Sequence, residues 1–264
     1  MSSSIAEIKE ERRGPNGEIL WLTFNRPEAR NALTWPMYER LQHLFDTVND
    51  DRSVRCLVLA GSGGAFVAGT DISQFRAFET EQQALDYEEQ GDRLMTALEM
   101  VRAPVIAAIP GPATGAGFAL CGVSDLRVGS PAARMGIPIS RTLGNCLSIP
   151  QYTRLNALMG PARVKEMIFL AKLYSAQEAL SIGLLNEVVA DEESLLPRVE
   201  EIALKLATHA PLTMWATKES LRRINRKQRP DEGSDIIVKV YMSRDFKEGV
   251  EAFLAKRKPD WKGE

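Results

Sequence analysis

The 264-residue sequence contains few cysteines and no cluster of metal-binding side chains. Its three cysteines, Cys56, Cys121 and Cys146, are odd in number and widely spaced, which is typical of free thiols in a reducing cytosol. We therefore predict a cytoplasmic protein without a disulfide framework. His43 and His209 lie far apart, and no Cys/His pair has the spacing of zinc ligands, so we expect no metal site.

The sequence also lacks a strong excess of charge and a long apolar run. It has 33 Lys and Arg against 35 Asp and Glu, and this near balance argues against nucleic acid or an anionic membrane as a partner. No apolar stretch approaches the roughly 20 residues of a membrane-spanning helix. The first residues, MSSSIAEI, show no basic segment followed by an apolar run, so no secretory signal is predicted.

An apolar fraction of 44% suffices for one large core, and the apolar residues follow two alternating patterns. Short β-rich runs predict strands at 18–24, 54–61, 104–109, 126–128 and 185–189. Helical spacing predicts helices at 36–49 and 81–100, a helix beginning within 117–121, and mostly helical chain from about residue 147. The alternation indicates an α/β fold, and the nearly continuous apolar run at 54–61 is typical of a strand covered on both faces.

Two glycine-rich turns each follow a predicted strand and precede a predicted helical segment. They are GSGGAFVAGTDI at 61–72 and PGPATGAGF at 110–118. Glycine lets a ligand approach the backbone, and a helix N-terminus presents unpaired N–H groups. Two such ends facing one point can donate to a single developing oxyanion, although either turn alone could simply join a strand to a helix. Neither matches a P-loop or the dinucleotide-binding fingerprint.

Five segments carry a more specific signal when they are taken together. They are FNRPEARNAL at 24–33, AFVAGTD at 65–71, PVIAAIPG at 104–111 with the turn that follows, DLR at 125–127, and EGVEAFLAKRKP at 248–259. In this set the chain resembles the crotonase family, also called the enoyl-CoA hydratase/isomerase family, over about residues 5 to 262. The resemblance implies a spiral superhelix of ββα units with a C-terminal helical trimerisation region.

The resemblance also implies how the chain is organised. We expect residues 1–195 to form the spiral core with an acyl-CoA site, and residues 196–264 to form a helical region for trimerisation and capping. A homotrimer or homohexamer is expected. Coenzyme A would enter as part of the substrate, and no permanently bound cofactor is expected.

The resemblance places an oxyanion hole at the backbone N–H groups of Thr70 and Ala116. Family members often have Ala and Gly at these positions, and both replacements keep the N–H group. The implied coenzyme A contacts are Ala29, Arg30, Ala68, Gly69, Asp71, Ile72, Phe253 and Lys256. Arg30 is a candidate phosphate contact because guanidinium is always charged, with a solvated loop residue as the alternative. Phe253 and Lys256 are candidates for the adenine or phosphates, with plain helix packing as the alternative.

The chain departs from the family where hydratases carry their two catalytic glutamates. The corresponding positions are Ala119, in GFAL, and Ile139, in MGIPI, and neither side chain can accept a proton. From residue 101 to 165 the only acidic residue is Asp125, for which we expect a structural role. Standard two-glutamate hydration is therefore not expected.

Other residues offer substitutes for these glutamates. Cys146 takes the place of the nucleophilic aspartate in a Gly-Asn-Asp motif of aroyl-CoA dehalogenases, and a nearby Arg141 would lower the pKa of its thiol. A small buried apolar Cys146 is the alternative. Arg141 could instead bind a carboxylate on the acyl group or pair with an acid of a neighbour. Tyr87, Glu88 or Glu89, on the 81–100 helix, could instead supply an acid or base, with surface or core roles as alternatives.

The sequence thus predicts an acyl-CoA lyase or isomerase that stabilises a thioester enolate and uses a non-standard acid or base. Decarboxylation fits such a site, because it generates an enolate without a base. The alternatives are a divergent hydrolase and a catalytically silent acyl-CoA-binding protein.

Overall fold

A computed structural model of the chain describes residues 7–226 and 233–262. The described residues form nine strands and ten α-helices. The strands are β1 (Ile8–Arg13), β2 (Ile19–Phe24), β3 (Cys56–Gly61), β4 (Val105–Ile109), β5 (Pro112–Thr114), β6 (Leu126–Gly129), β7 (Arg134–Gly136), β8 (Tyr174–Ser175) and β9 (Glu187–Val188). The helices are α1 (Trp35–Thr47), α2 (Glu81–Met100), α3 (Ala116–Val123), α4 (Ile139–Thr142), α5 (Ile149–Phe169), α6 (Ala176–Ser181), α7 (Leu195–Ala207), α8 (Pro211–Arg226), α9 (Ser234–Tyr241) and α10 (Arg244–Leu254). Short 3-10 helices span Pro27–Ala29 and Ile72–Ala77.

Six strands form the main sheet in the order β1-β2-β3-β4-β6-β9. β1 is antiparallel to β2, and every other pair in this sheet is parallel. Trp21, Val58, Ile106 and Leu126 occupy one register line across four neighbouring strands. The predicted α/β class is confirmed.

A second, smaller sheet explains the spiral. It contains β5, β7 and β8, with β5 parallel to β7. β4 and β6 each lie in the main sheet, and each is followed by a short strand in the small sheet and then by a helix. The turn after β3 also joins the small sheet, because Val67 pairs with Ala113 before the chain enters α2. These repeated ββα units confirm the predicted superhelix.

Both faces of the main sheet are buried, because side chains alternate along each strand. In β2, Leu22 and Phe24 belong to the large cluster on the side of α1 to α3, whereas Ile19 and Trp21 belong to the cluster under α7. β3 divides in the same way. The prediction that segment 54–61 is a strand covered on both faces is therefore confirmed.

The predicted strands and helices agree with the observed bounds to within two residues at each end. The sequence patterns did not indicate β1, β5, β7 or β8. β1 is an edge strand whose sequence IKEERR buries only Ile8, so it lacks an apolar pattern. The other three are two or three residues long, too short to show a period.

The C-terminal helices divide between two locations. α7 packs on the main sheet through Leu195, Val199 and Ala203, although the predicted boundary at 195/196 places it in the C-terminal region. α9 and α10 instead pack beside α2 and the 3-10 helix Ile72–Ala77, in a third apolar cluster. The two-region division and the trimerisation role stay predictions.

Candidate active site

Asn31 holds together the loops that frame the site. It is fully buried, and its side-chain amide donates to the carbonyls of Ser62 at 2.9 Å and Ala65 at 2.8 Å. Its Oδ1 accepts the backbone N–H of Arg26 at 2.8 Å. Its φ of 60° lies in the left-handed region, which asparagine tolerates better than most residues. One side chain thus joins the loop after β2 to the glycine turn after β3.

The two segments predicted to contact coenzyme A lie side by side. The N–H of Ala68 donates to the carbonyl of Arg30 at 3.1 Å, and the N–H of Leu33 donates to the carbonyl of Gly69 at 2.8 Å. The N–H of Asp71 returns a bond to the carbonyl of Leu33 at 2.9 Å. The structure therefore brings segments 29–33 and 68–71 together as one short parallel ladder.

The other predicted coenzyme A contacts have varied environments. Arg30 is exposed, and Ile72 is half-buried against the third apolar cluster. Asp71 caps the following 3-10 helix, accepting the N–H and hydroxyl of Ser73 and the Arg26 guanidinium. Burial raises the pKa of Asp71, but these hydrogen bonds outweigh it and the net pKa is lowered.

Phe253 lies in the last turn of α10, and Lys256 lies in the turn that follows it. Both are exposed, and among the described residues no hydrogen bond or ion pair joins either side chain to segments 29–33 or 68–72. α10 itself reaches that region through an ion pair between Glu251 and Arg76 of the 3-10 helix. The contact of Phe253 and Lys256 with coenzyme A stays a prediction.

The glycines of the two turns allow the turns to pack against each other. A Cβ atom at Gly117 would lie 2.0 Å from the Val67 carbonyl oxygen, and one at Gly111 would lie 2.0 Å from the Gly64 carbonyl oxygen. Sequence reasoning assigned such glycines to close approach of a ligand. At these two positions the partner is instead the backbone of the other turn.

The backbones of the two turns also meet at Gly69 and Gly115. Gly69 and Gly115 have positive φ angles of 103° and 55°, and a Cβ at Gly115 would lie 3.4 Å from the Gly69 Cα. The residues that follow them are Thr70 and Ala116. In the part of the chain that the structure describes, neither N–H has a protein acceptor. Ala116 is the first residue of α3, where the helix dipole favours negative charge.

A cavity of about 60 Å³ lies beside Ala116. Its lining residues are Tyr38, Tyr87, Glu88, Gly91, Met95, Gly115, Ala116, Ala119, Ile137, Leu147, Gln151 and Leu155. Ala119, at one predicted glutamate position, faces this space. Ile139, at the other, is buried in the core and does not line it. Glu88 is the only carboxylate among the described lining residues.

Two tyrosines meet the side chain of Thr70 at the cavity wall. The Thr70 hydroxyl lies 2.8 Å from the Tyr38 hydroxyl and 3.0 Å from the Tyr87 hydroxyl. Burial raises the pKa of Tyr38 to about 12 and the pKa of Tyr87 well above its usual value, so both stay protonated at neutral pH. Sequence reasoning missed Tyr38, because nothing on α1 distinguishes it from an ordinary core residue.

Glu88 is buried and held by two hydrogen bonds. One carboxylate oxygen accepts the Ser148 N–H at 2.9 Å, and the other accepts the Tyr241 hydroxyl at 2.5 Å. Burial raises the pKa of Glu88 to about 7, Asp92 adds to the rise, and the Tyr241 and Ser148 hydrogen bonds oppose it. Of the three candidates on α2, Tyr87 and Glu88 reach the cavity, whereas Glu89 is exposed.

The structure does not support Cys146 as a nucleophile. Its thiol is buried, points to the Ile236 carbonyl 3.9 Å away and does not line the cavity. Burial, reinforced by Glu88, raises the pKa of the thiol to about 12. Arg141 is exposed and is not among the groups that shift the pKa of Cys146. The expectation that Arg141 lowers this pKa is therefore wrong.

A thiol-labelling experiment tests this correction. Burial raises the pKa of Cys56 and Cys146 to about 12 and that of Cys121 further, so the native protein should present almost no thiolate at pH 8. We expect 5,5′-dithiobis(2-nitrobenzoic acid) to label no cysteine in native protein and all three in 6 M guanidinium. Few domains stay folded above about 5 M guanidinium. Rapid native labelling of Cys146 would contradict the assignment.

The ββα spiral, with two abutting glycine turns beside a cavity, defines a protein of the crotonase fold. Residues 14–264 match the profile of the family described as "Enoyl-CoA hydratase/isomerase", and the chain belongs to this family.

Individual relatives agree with this assignment. The chain is 33% identical over 248 residues to a "Probable enoyl-CoA hydratase" of Bacillus subtilis, covering 92% of this chain and 95% of that protein. It is 34% identical over 249 residues to a "Short-chain-enoyl-CoA hydratase" of Clostridium acetobutylicum, covering 92% and 93%. Among solved structures, a methylmalonyl-CoA decarboxylase in complex with 2-nitronate-propionyl-CoA superposes with a TM-score of 0.86 at 27% identity, covering 99% of this chain and 100% of that chain.

Two further properties concern residues 7–226 and 233–262. None of the helices described there is both long enough and apolar enough to cross a membrane. No group of three or more His, Cys, Asp or Glu side chains in these residues is arranged to hold a metal ion.

Proposed function

We propose that this protein binds an acyl-CoA thioester and stabilises its enolate with the backbone N–H groups of Thr70 and Ala116. The observation that carries the proposal is the pair of unpaired N–H groups at the contact of the two glycine turns. Donors fixed in a buried site stabilise a developing oxyanion more strongly than water does, by about 3–4 kcal/mol for each donor. The named relatives, which are enoyl-CoA hydratases and a methylmalonyl-CoA decarboxylase, support the same substrate class.

Coenzyme A would lie along the ladder formed by segments 29–33 and 68–72. Arg30 is exposed next to that ladder and is the proposed phosphate contact. Phe253 of α10 and Lys256, just after α10, are proposed as outer contacts. We also propose a homotrimer or homohexamer, with the C-terminal helices contributing to assembly. Exposed apolar side chains on α8, including Leu212, are consistent with an interface there.

The proposed chemistry does not use the two-glutamate hydration mechanism. Ala119 faces the cavity without a titratable group, and Ile139 is buried away from it. The enzyme is therefore proposed to be a lyase or isomerase with a different proton-transfer group.

Decarboxylation is a second candidate reaction for the same site. The similarity to a methylmalonyl-CoA decarboxylase supports it, and so does a cavity walled on one side by Met95, Leu147 and Leu155. Such a wall disfavours a substrate carboxylate and favours its loss as neutral carbon dioxide. The resulting enolate would be held by the same two N–H groups.

A substrate panel tests these proposals. With crotonyl-CoA, we expect loss of the enoyl-thioester absorbance at least about 100-fold slower than with a two-glutamate hydratase assayed in parallel. Hydration at a comparable rate would contradict the proposed loss of that mechanism. Methylmalonyl-CoA, followed by mass spectrometry, tests the second candidate. Calorimetric binding of butyryl-CoA without turnover of any thioester would instead indicate a binding protein.

A further inference from the structure

We propose that Glu88 transfers a proton to and from the α-carbon of the bound acyl group. This inference rests on the proposed function and assigns its missing acid or base. Glu88 lines the same cavity as Ala116, which supplies one oxyanion donor, and as Ala119. Glu88 therefore borders the space that an acyl group enters when its carbonyl oxygen reaches that donor.

Within the described part of the chain, Glu88 lacks the cation partner that buried carboxylates usually have. Arg154, itself buried, pairs with two other acids of α2, Asp92 at 2.8 Å and Glu99 at 3.3 Å. Among the described residues, no ion pair includes Glu88. Arg154 of α5 thus neutralises two acids of α2, whereas Glu88, which lines the cavity, has no counterion among the described residues. An unpaired buried acid in a cleft is costly to the fold and is typical of functional sites.

The hydrogen bonds of Glu88 fix its side chain but leave each carboxylate oxygen able to accept another hydrogen bond. The Ser148 N–H and the Tyr241 hydroxyl each occupy one oxygen, and each carboxylate oxygen can accept a further bond. Ser148 is the N-cap residue of α5, and Tyr241 ends α9. Three separate elements therefore fix the orientation of this carboxylate, as general acid–base catalysis requires.

The proton transfer balances within the site. A carboxylate oxygen of Glu88 takes the α-proton, the C–H electron pair forms the bond between the α-carbon and the thioester carbon, and the carbonyl π pair moves to oxygen. The N–H groups of Thr70 and Ala116 stabilise that oxygen. In the reverse direction protonated Glu88 returns a proton to the α-carbon. Protonated Glu88 would likewise protonate the α-carbon of an enolate formed by decarboxylation.

The surroundings of Glu88 permit both protonation states near neutral pH. The titratable side chains coupled to it are Tyr38, Tyr87, Asp92, Cys146, Tyr152 and Tyr241. Burial raises the pKa of every tyrosine and of the cysteine in this set, so these stay neutral at pH 7. Asp92 is paired with Arg154. With its pKa raised to about 7, Glu88 alone changes charge in the neutral range.

The test measures hydrogen exchange at the α-carbon of butyryl-CoA in D2O by mass spectrometry. Wild-type protein should incorporate deuterium, and Glu88→Gln should lower the rate at least about 100-fold while leaving calorimetric butyryl-CoA binding within about twofold. Glu89→Gln is the matched control, because Glu89 is the next residue on α2 but is exposed. Its exchange rate should equal that of wild type.

A pH profile separates catalysis from a structural role. Wild-type exchange should rise with pH through about 7, because the deprotonated form of Glu88 is the base. Tyr241→Phe removes a hydrogen bond that lowers the Glu88 pKa, so the midpoint of the profile should move to higher pH. A purely structural Tyr241–Glu88 contact would change the protein's stability but not this midpoint.

Each result has one meaning. Exchange in Glu88→Gln at the wild-type rate overturns the Glu88 assignment and leaves the proposed function standing. Butyryl-CoA binding without wild-type exchange also overturns the Glu88 assignment. Absence of butyryl-CoA binding by wild-type protein overturns the proposed function itself.

Discussion

Replacing Ala116 by proline is expected to slow α-proton exchange about 100- to 1,000-fold, because it removes one of the two proposed donors to the enolate oxygen. Proline has no backbone N–H, and no other change to that donor is as direct. The assay is again deuterium incorporation into butyryl-CoA.

The local geometry lets the proline be introduced without breaking the fold. Ala116 is the first residue of α3, a position where the N–H has no intrahelical acceptor and proline is favoured. The preceding residue, Gly115, has φ 55° and ψ −121°, the mirror image of the extended conformation that residues before proline prefer. Because glycine lacks a Cβ, it adopts that conformation freely.

Ala116→Gly is the matched control, because it trims the same side chain but keeps the N–H group. It should retain exchange within about tenfold of wild type, and both variants should show the circular dichroism spectrum of the native fold. Full activity in a folded Ala116→Pro variant would show that the Ala116 N–H does not bind the thioester oxygen.

Replacing Asn31 by alanine is expected to lower the free energy of unfolding by about 4 kcal/mol, because its buried side chain loses three hydrogen bonds and their partners are left unsatisfied. The loss should also separate the loop after β2 from the first glycine turn and weaken acyl-CoA binding. Urea unfolding followed by circular dichroism measures the first effect, and calorimetry with butyryl-CoA measures the second.

Arg30→Ala is the control for backbone strain. Arg30 has φ 49°, close to the 60° of Asn31, but its side chain is exposed. Its replacement should change the free energy of unfolding by no more than about 0.5 kcal/mol. If Asn31→Ala lowered the free energy of unfolding by as little as Arg30→Ala, the proposed role of the Asn31 amide in joining the two loops would be wrong.

Much of the fold could be predicted from the sequence because its long elements carry strong periodic signals. The run VRCLVLAG and the helix at 81–100 are examples, and the predicted bounds of that helix coincide with those of α2. The strands of the small sheet could not be predicted, since β5, β7 and β8 owe their conformation to partners far away in sequence. The local amino-acid sequence does not indicate such long-range strand pairing.

The site was predictable in its backbone but not in its side chains. The glycine turns mark the two proposed donors, whereas Tyr38, Ser148 and Tyr241 come from three distant elements and have no common motif. One available signal was the stripe of Ala84, Glu88, Met95 and Leu98, whose spacing places Glu88 on the buried face of α2. That spacing distinguishes Glu88 from its exposed neighbour.

The packing of the two glycine turns has a consequence for how this protein can diverge. The position of each proposed donor is fixed by main-chain atoms, since Gly111 and Gly117 abut carbonyl oxygens and Gly69 abuts Gly115. Mutations that exchange side chains around the cavity therefore leave the two donors in place. If the proposed function holds, the two oxyanion donors stay constant while the proton-transfer group can change from one cavity wall to another. A lineage can thus change its reaction without rebuilding the part of the site that activates the thioester.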